Sequence, residues 1–201
     1  MAKGADTRRR ILDSARDLFH ARSYHDVGVQ QICLQAGVQK GSFYYFFASK
    51  QGLALEVLDG MWLEEERQVL AVAYAAGLAP LARIARHAEL RHDVSAAERA
   101  AGGRVLGCPF SSLVGEVTGE GDALREGLAG MLARIHGRID AALRDAVAAG
   151  DVRACDTPAA ADMLLAQLEG ASVLAVARND PAPYLALAAA APLVAQAYAS
   201  R

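Results

Sequence analysis

Gly37-Val38-Gln39-Lys40-Gly41-Ser42-Phe43-Tyr44-Tyr45-Phe46-Phe47-Ala48-Ser49-Lys50 is the stretch on which the fold turns. Gly37 supplies a left-handed turn where a β-carbon costs energy. Before it, Val29, Ile32, Cys33 and Ala36 fall on one stripe and predict a short helix over Val29–Gln35. After it, a second short helix is predicted over Gln39–Phe46, with Val38 plugging the gap between the two. Two short helices joined across a glycine turn form a helix-turn-helix, whose second helix is sized for the major groove of DNA. Ser49 is a fitting N-cap for a longer helix over Lys50–Val72.

Working outward, Ile11, Leu12, Ala15, Leu18 and Phe19 share one face of a helix predicted over Asp6–Ala21. Downstream, Gly77 and Pro80 break the chain and helix is predicted over Pro80–His92. Gly102, Gly103 and Gly107 mark a loose connection. Pro109 opens the next helix, which ends before Gly119-Glu120-Gly121. Helices over Asp122–Ala149, Pro158–Arg178 and Ala182–Ala199 follow, separated by Gly150 and by Asn179-Asp180-Pro181. β-branched and aromatic residues are scarce and no long period-two pattern appears. The expectation is therefore an all-α chain of nine helices, with a three-helix domain over 1–49 and a larger helical domain over 50–201.

Composition narrows the function classes. At 201 residues, 53% hydrophobic and 22% charged, the chain is neither disordered nor a generic nucleic-acid coat. Its net charge of −2 hides an asymmetry. Residues 1–50 hold eight Lys/Arg against four Asp/Glu, whereas 51–201 hold thirteen against nineteen. A basic head on an acidic body fits a local anionic partner at the head. No run of 18 consecutive apolar residues occurs and the N-terminus is polar, so neither membrane span nor leader is expected, and the location expected is cytoplasmic. Cys33, Cys108 and Cys155 are odd in number without CxxC spacing, which argues against a disulfide framework and a zinc site. No metal or cofactor is expected. Metal-spaced His/Glu pairs, GxSxG and a P-loop are all missing, so the chain does not read as an enzyme.

On the second helix of the helix-turn-helix the exposed positions are Gln39, Lys40, Ser42, Tyr44 and Tyr45. Lysine and tyrosine reach phosphates and base edges, and Gly41 lets the backbone come close. Lys50 opens its helix where backbone N–H groups favour a phosphate. Two of the chain's three lysines are Lys40 and Lys50. The competing reading packs Tyr44 and Tyr45 on the first helix, and makes Arg8, Arg9 and Arg10 a merely solvated face.

With these residues in view, the sequence resembles the tetracycline-repressor (TetR) family of regulators. The matching signature is the Gly37–Lys50 stretch itself, with Gly41, Tyr44, Phe47 and Lys50 at three-residue intervals, and Arg10-Ile11-Leu12, Ala15 and Leu18-Phe19 upstream. The strong match covers about residues 7–55. It implies that Lys40, Gly41, Ser42 and Tyr44 face base edges and nearby phosphates, that Tyr45 and Lys50 clamp the backbone, and that Phe43 and Phe47 are core. Two positions depart from the pattern: Gly28 stands where a threonine usually opens the first helix of the motif, and Gln39 where a serine or threonine often caps the second. More weakly, Gly107-Cys108-Pro109 with Glu116, Ala149-Gly150-Asp151 and Glu169-Gly170-Ala171 resemble one ligand-binding branch of the family. There the last two helices form a four-helix dimer interface, to which Leu164, Leu165, Leu168, Ala171, Leu193, Val194 and Ala197 would supply the apolar seam.

The implied function is a homodimeric repressor, released from a palindromic operator in double-stranded DNA by a small-molecule inducer. Trp62, Tyr74, His87, Cys108, Phe110, Met131, His136, Met163 and Gln167 are candidates for the inducer pocket, each with core or surface packing as the plainer reading. If Cys108 caps the helix opened by Pro109, its thiol is activated, and the alternative function is a redox- or electrophile-sensing regulator. From other classes, an all-α enzyme and a helical protein-interaction module remain.

Overall fold

Ile11, Ala15, Leu18 and Phe19 are 0–8% exposed, and the helix that carries them is α1, Ala2–Ala21. The computed structural model of the chain describes residues 2–22, 24–108, 110, 113 and 122–197. α1 begins four residues before the expected start, because nothing in Ala2–Ala5 breaks a helix strongly. α2 is Val29–Ala36 and α3 is Lys40–Phe46. α4, Lys50–Glu65, continues through a π-helical turn at Glu66–Leu70 into Ala71–Ala73. α5 is Pro80–Gly102, α6 Asp122–Ala149, α7 Thr157–Arg178 and α8 Ala182–Ala197. Among the described residues there is no strand, and the class is all-α.

α5 runs ten residues past the expected stop at His92. Residues 92–101 hold neither Gly nor Pro, and the helix ends only where Gly103 adopts φ +75° and donates its N–H to Arg99 O. The helix expected after Pro109, with Glu116 and Gly119–Gly121, lies outside the described residues, as does the end of the last helix beyond Ala197. Of that stretch Phe110 and Leu113 are described, and both are buried.

The chain groups into two compact units: one holds 1–64 with 109–131, the other 65–108 with 132–201. In the first unit, α1, α2 and α3 pack on one another. Ile32, Phe43, Phe47, Leu53 and Leu58 are at most 3% exposed there. In the second unit, α8 packs on α5 and α7, burying Ile84, Ala88, Leu164, Leu168, Ala175, Tyr184 and Leu187. Each fully buried Leu, Ile or Phe side chain contributes about 1.5–3 kcal/mol.

α7 reaches a mean hydropathy of 1.4 over 18 residues, enough by length and composition to cross a membrane. That window reflects two apolar stripes on one helix. One holds Leu164, Leu168 and Ala171, buried in its own unit, and the other holds the exposed Val173, Leu174 and Val176.

Candidate nucleic-acid interface

The turn of the helix-turn-helix is built from backbone bonds. Gly37 takes φ +63°, ψ 40°, its N–H donates to Leu34 O at 3.2 Å, and Val38 N–H donates to Cys33 O at 2.9 Å. This closes α2 and redirects the chain into α3 within three residues. α3 anchors itself by Phe43, fully buried and 5.8 Å from the Phe47 ring. That anchor turns the opposite side of α3 to solvent, leaving Tyr45 82% and Tyr44 52% exposed. Neither tyrosine is therefore packed away under α1. Gln39, Gly41, Ser42 and Tyr45 line one open groove of about 620 Å³ together with Gly4, Thr7 and Phe46. Lys40 lies beside it with its ammonium 5.8 Å from the Tyr44 ring. The Cys33 thiol, on the α2 core stripe, has its pKa raised by burial, opposed by the Lys40 charge.

Gly41 is informative because the protein itself gives it no reason to be glycine. A β-carbon there meets nothing within 4 Å, and its φ is not positive. Gly28, the N-cap of α2, has extended φ −85°, ψ 156°, and its N–H donates to Gln31 Oε1 at 2.8 Å. Gln39 caps α3 without a side-chain bond.

Several cations of the head hold the head together. Lys50 donates to Tyr24 O at 2.9 Å and sits 4.0 Å from the Tyr24 ring. In this structure it ties the start of α4 to the segment before α2, a role the sequence did not reveal. Arg8 pairs with Glu56 of α4 and lies 5.3 Å from the Phe47 ring. Arg10 holds the carbonyls of Ala36 and Gly37. These are not simply a solvated face.

The second unit contains a buried polar cluster. Glu65 and Arg91 form an ion pair at 3.0 Å with both side chains under 8% exposed. Arg91 also donates to Gly107 O at 2.9 Å. Burial disfavours the Arg91 charge, but Glu65, with Tyr184, Cys108 and Glu98, outweighs it and keeps the guanidinium charged. His87 is driven down to about 3, first by burial and then by Arg91, so its imidazole is neutral. Its Nδ1 shares a 3.1 Å hydrogen bond with the Tyr74 hydroxyl, which burial pushes above the ordinary phenol range. Its Nε2 is buried with no hydrogen-bond partner, 4.0 Å from Glu65 Oε1. A cavity of about 10 Å³ adjoins these groups, lined by Glu65, His87, Arg91, Cys108, Ile135, Leu168, Glu169 and Tyr184. Its volume is that of about one water.

The sequence matches two family models: bacterial regulatory proteins of the tetR family over residues 11–57, and the tetracyclin repressor-like C-terminal domain over residues 80–191. The chain belongs to the TetR family. Regulatory protein TetR from Rhodobacter sphaeroides has a TM-score of 0.80 and 28% identity to it, covering 92% of this chain and 97% of that one. The transcriptional regulator AcuR of Cereibacter sphaeroides is 29% identical over 163 residues, 81% of this chain and 73% of its own length. The HTH-type regulator LmrA of Bacillus subtilis is 34% identical over 123 residues, 60% of this chain and 62% of LmrA. Two further Bacillus subtilis regulators, YdgC and YxaF, are matched over about three tenths of their length. TetR proteins are DNA-binding transcriptional regulators.

Within this TetR chain the other sequence-picked residues separate. Of the pocket candidates, His87 and Cys108 line the cavity and Tyr74 stands behind His87. Trp62, Phe110 and Met131 belong to the first unit, with the Trp62 and Phe110 rings 6.4 Å apart. Met163 is 40% exposed, Gln167 is half-buried, and His136 bonds Pro158 O at 3.2 Å. Glu65 and Arg91, the charged centre of the cluster, were missed: long charged side chains inside amphipathic helices read as surface. Cys108 is 9% exposed, its backbone N–H given to Ser172 Oγ at 2.7 Å, which leaves the sensing alternative unfavoured. Of the expected seam, Leu164, Leu168 and Ala171 are buried inside their own unit. Leu165 and Val194 are half-buried, and Leu193 and Ala197 are exposed.

Proposed function

We propose that the chain is a ligand-responsive repressor that binds palindromic operator DNA as a symmetric dimer. The observation that carries this is α3 and its cap, where Gln39, Lys40, Gly41, Tyr44 and Tyr45 are exposed, Ser42 is half-buried, and no side-chain hydrogen bond or ion pair engages them among the described residues. Amide, hydroxyl and ammonium groups at the start of a short helix suit base edges, and the tyrosines suit phosphates. Lys50, anchored on Tyr24 O, orients α4 as well as placing charge near the backbone. The dimer is supported by exposed Val173, Leu174 and Val176 on α7 and Leu185 and Leu193 on α8. Such stripes bury themselves most simply against their own copy about a two-fold axis.

Ligand response is supported by the buried cluster of the second unit. A neutral imidazole with an unpartnered nitrogen beside an ion pair is a polar site with room for one water, and a larger polar group enters when the helices around it part. An inducer acts by favouring one position of α4, since equal affinity for both states shifts nothing. The test is in two parts. Selection from random duplex DNA should enrich a palindrome, and enrichment of no sequence at low salt defeats the operator reading. A library of small metabolites screened by thermal shift should then contain compounds that both raise Tm and release the enriched duplex. Stabilising compounds that never release DNA defeat the ligand-response reading.

A further inference from the structure

Arg10 stands on α1, yet its guanidinium reaches the turn between α2 and α3. Nε donates to Ala36 O at 3.0 Å, and Nη2 donates to Gly37 O at 2.9 Å and again to Ala36 O. Asp6, one turn earlier on α1, lies 3.9 Å from Nη1 and steadies the fork. These carbonyls are at the negative end of α2, where the last C=O groups lack helical partners. Backbone N–H groups of Gly37 and Val38 satisfy Leu34 and Cys33, and Arg10 takes the two carbonyls that follow at the cap.

The consequence falls on α3. Only Val38 and Gln39 separate Gly37 from the first residue of α3, and Gln39 contributes no side-chain cap. The direction of α3 therefore depends on its Phe43 anchor and on a few dihedrals around Gly37, the residue with the widest backbone freedom. Holding the Gly37 carbonyl fixes the peptide plane between Gly37 and Val38. The grip is close: a β-carbon on Gly37 would come within 3.3 Å of Nη2. The geometry points to Arg10 as a positioning residue for sequence reading, which sets the angle of α3 by chelating both carbonyls of the turn and is not a phosphate contact. This rests on the reading of α3 as the base-contacting helix. A planar guanidinium holds two acceptors at once, and a lysine ammonium is a single point donor on a flexible stem.

The test uses the full-length protein, a duplex enriched from random DNA by the wild type, and a scrambled duplex of equal length. Affinities of wild type, Arg10→Lys, Arg10→Ala and Lys40→Ala are measured on both duplexes across a salt series, with helical content checked by circular dichroism. Arg10→Lys should keep wild-type affinity for scrambled DNA and the wild-type salt slope, and lose about tenfold on the enriched duplex, the scale of one well-placed base contact. Arg10→Ala should lose at least as much specificity. If Arg10 touches phosphate, Arg10→Lys matches the wild type while Arg10→Ala weakens on both duplexes with a slope reduced by about one unit per contact. That result, or equal losses of Arg10→Lys on both duplexes with intact helicity, overturns the proposal. Lys40→Ala separates the two readings. If it leaves the enriched-to-scrambled ratio unchanged, α3 is not the reader; if it lowers that ratio and Arg10→Lys does not, the Arg10 role alone fails.

Discussion

Gly41→Ala should make the protein more stable and worse at binding DNA. Gly41 is the second residue of α3, exposed, without positive φ, and a β-carbon there has no neighbour within 4 Å. Glycine costs up to about 1 kcal/mol relative to alanine inside a helix, so alanine in this first turn should add about 0.5 kcal/mol. For a chain of this size that raises Tm by about 1–2 °C. The same methyl stands in the groove shared with Gln39, Ser42 and Tyr45. If the DNA surface seats against the Gly41 backbone, the methyl holds it off and weakens the contacts on either side. Loss of one base contact at about 1–3 kcal/mol amounts to roughly five- to 150-fold in affinity for an enriched duplex. Fluorescence anisotropy with labelled duplex measures the affinity, and differential scanning calorimetry the Tm. A variant that melts higher and binds as tightly as the wild type refutes the argument that Gly41 is glycine for the partner's sake.

Gly28→Ser should raise stability by a few tenths of a kcal/mol, because the extended backbone of Gly28 suits a capping hydroxyl. It should also tighten binding to any duplex a few-fold through one added phosphate contact, and unchanged affinity at higher Tm argues against α2 approaching the backbone. Val173→Glu should give folded monomers in sedimentation velocity, since Val173 is 61% exposed, whereas Leu168→Arg, at a residue 6% exposed, should unfold the protomer. A dimeric Val173→Glu would move the interface elsewhere. His87 gives a pH dependence: the unfolded chain binds its proton as pH falls through 6.5, the folded chain only near 3. Stability is therefore fully present above about pH 6.5 and is lost toward pH 3, by up to about 1.4 kcal/mol per unit. His87→Gln should flatten the Tm–pH profile in that window, and an identical profile would mean that other groups dominate.

The head was legible because its constraints are local. Gly37 and the stripe Val29, Ile32, Cys33 and Ala36 state a turn and a buried face within nine residues, and the fold buries Ile32, Cys33 and Ala36 and leaves Val29 half-buried. Where the reading slipped, the local signal was weak. Residues 92–101 form helix as readily as those before them, so the stop at His92 had no physical cause and the real one is Gly103. The π-helical turn at Glu66–Leu70 has no local sequence mark, because the same residues suit an ordinary α-helix. In α7 both long stripes are apolar, and composition alone does not say which belongs to the protomer's own core. Only tertiary packing assigned Leu164 and Leu168 inward and left Val173 and Val176 exposed.

The charge of the head carries a similar lesson. A formal count treats every arginine and lysine of the first fifty residues as available to DNA. In the structure Arg8 holds Glu56, Arg10 holds the end of α2, and Lys50 holds the Tyr24 carbonyl. Each of these bonds orients a neighbouring helix, which favours one conformation of the reading surface over the many that a charged surface alone would allow. The cost is electrostatic, since a guanidinium chelating two carbonyls cannot also fork a phosphate. Bonds to neutral carbonyls leave the charges of Arg10 and Lys50 in place, as Arg22 and Lys40 keep theirs, whereas carboxylate partners offset those of Arg8, Arg9 and Arg16. In this head several basic residues therefore orient helices in addition to carrying charge.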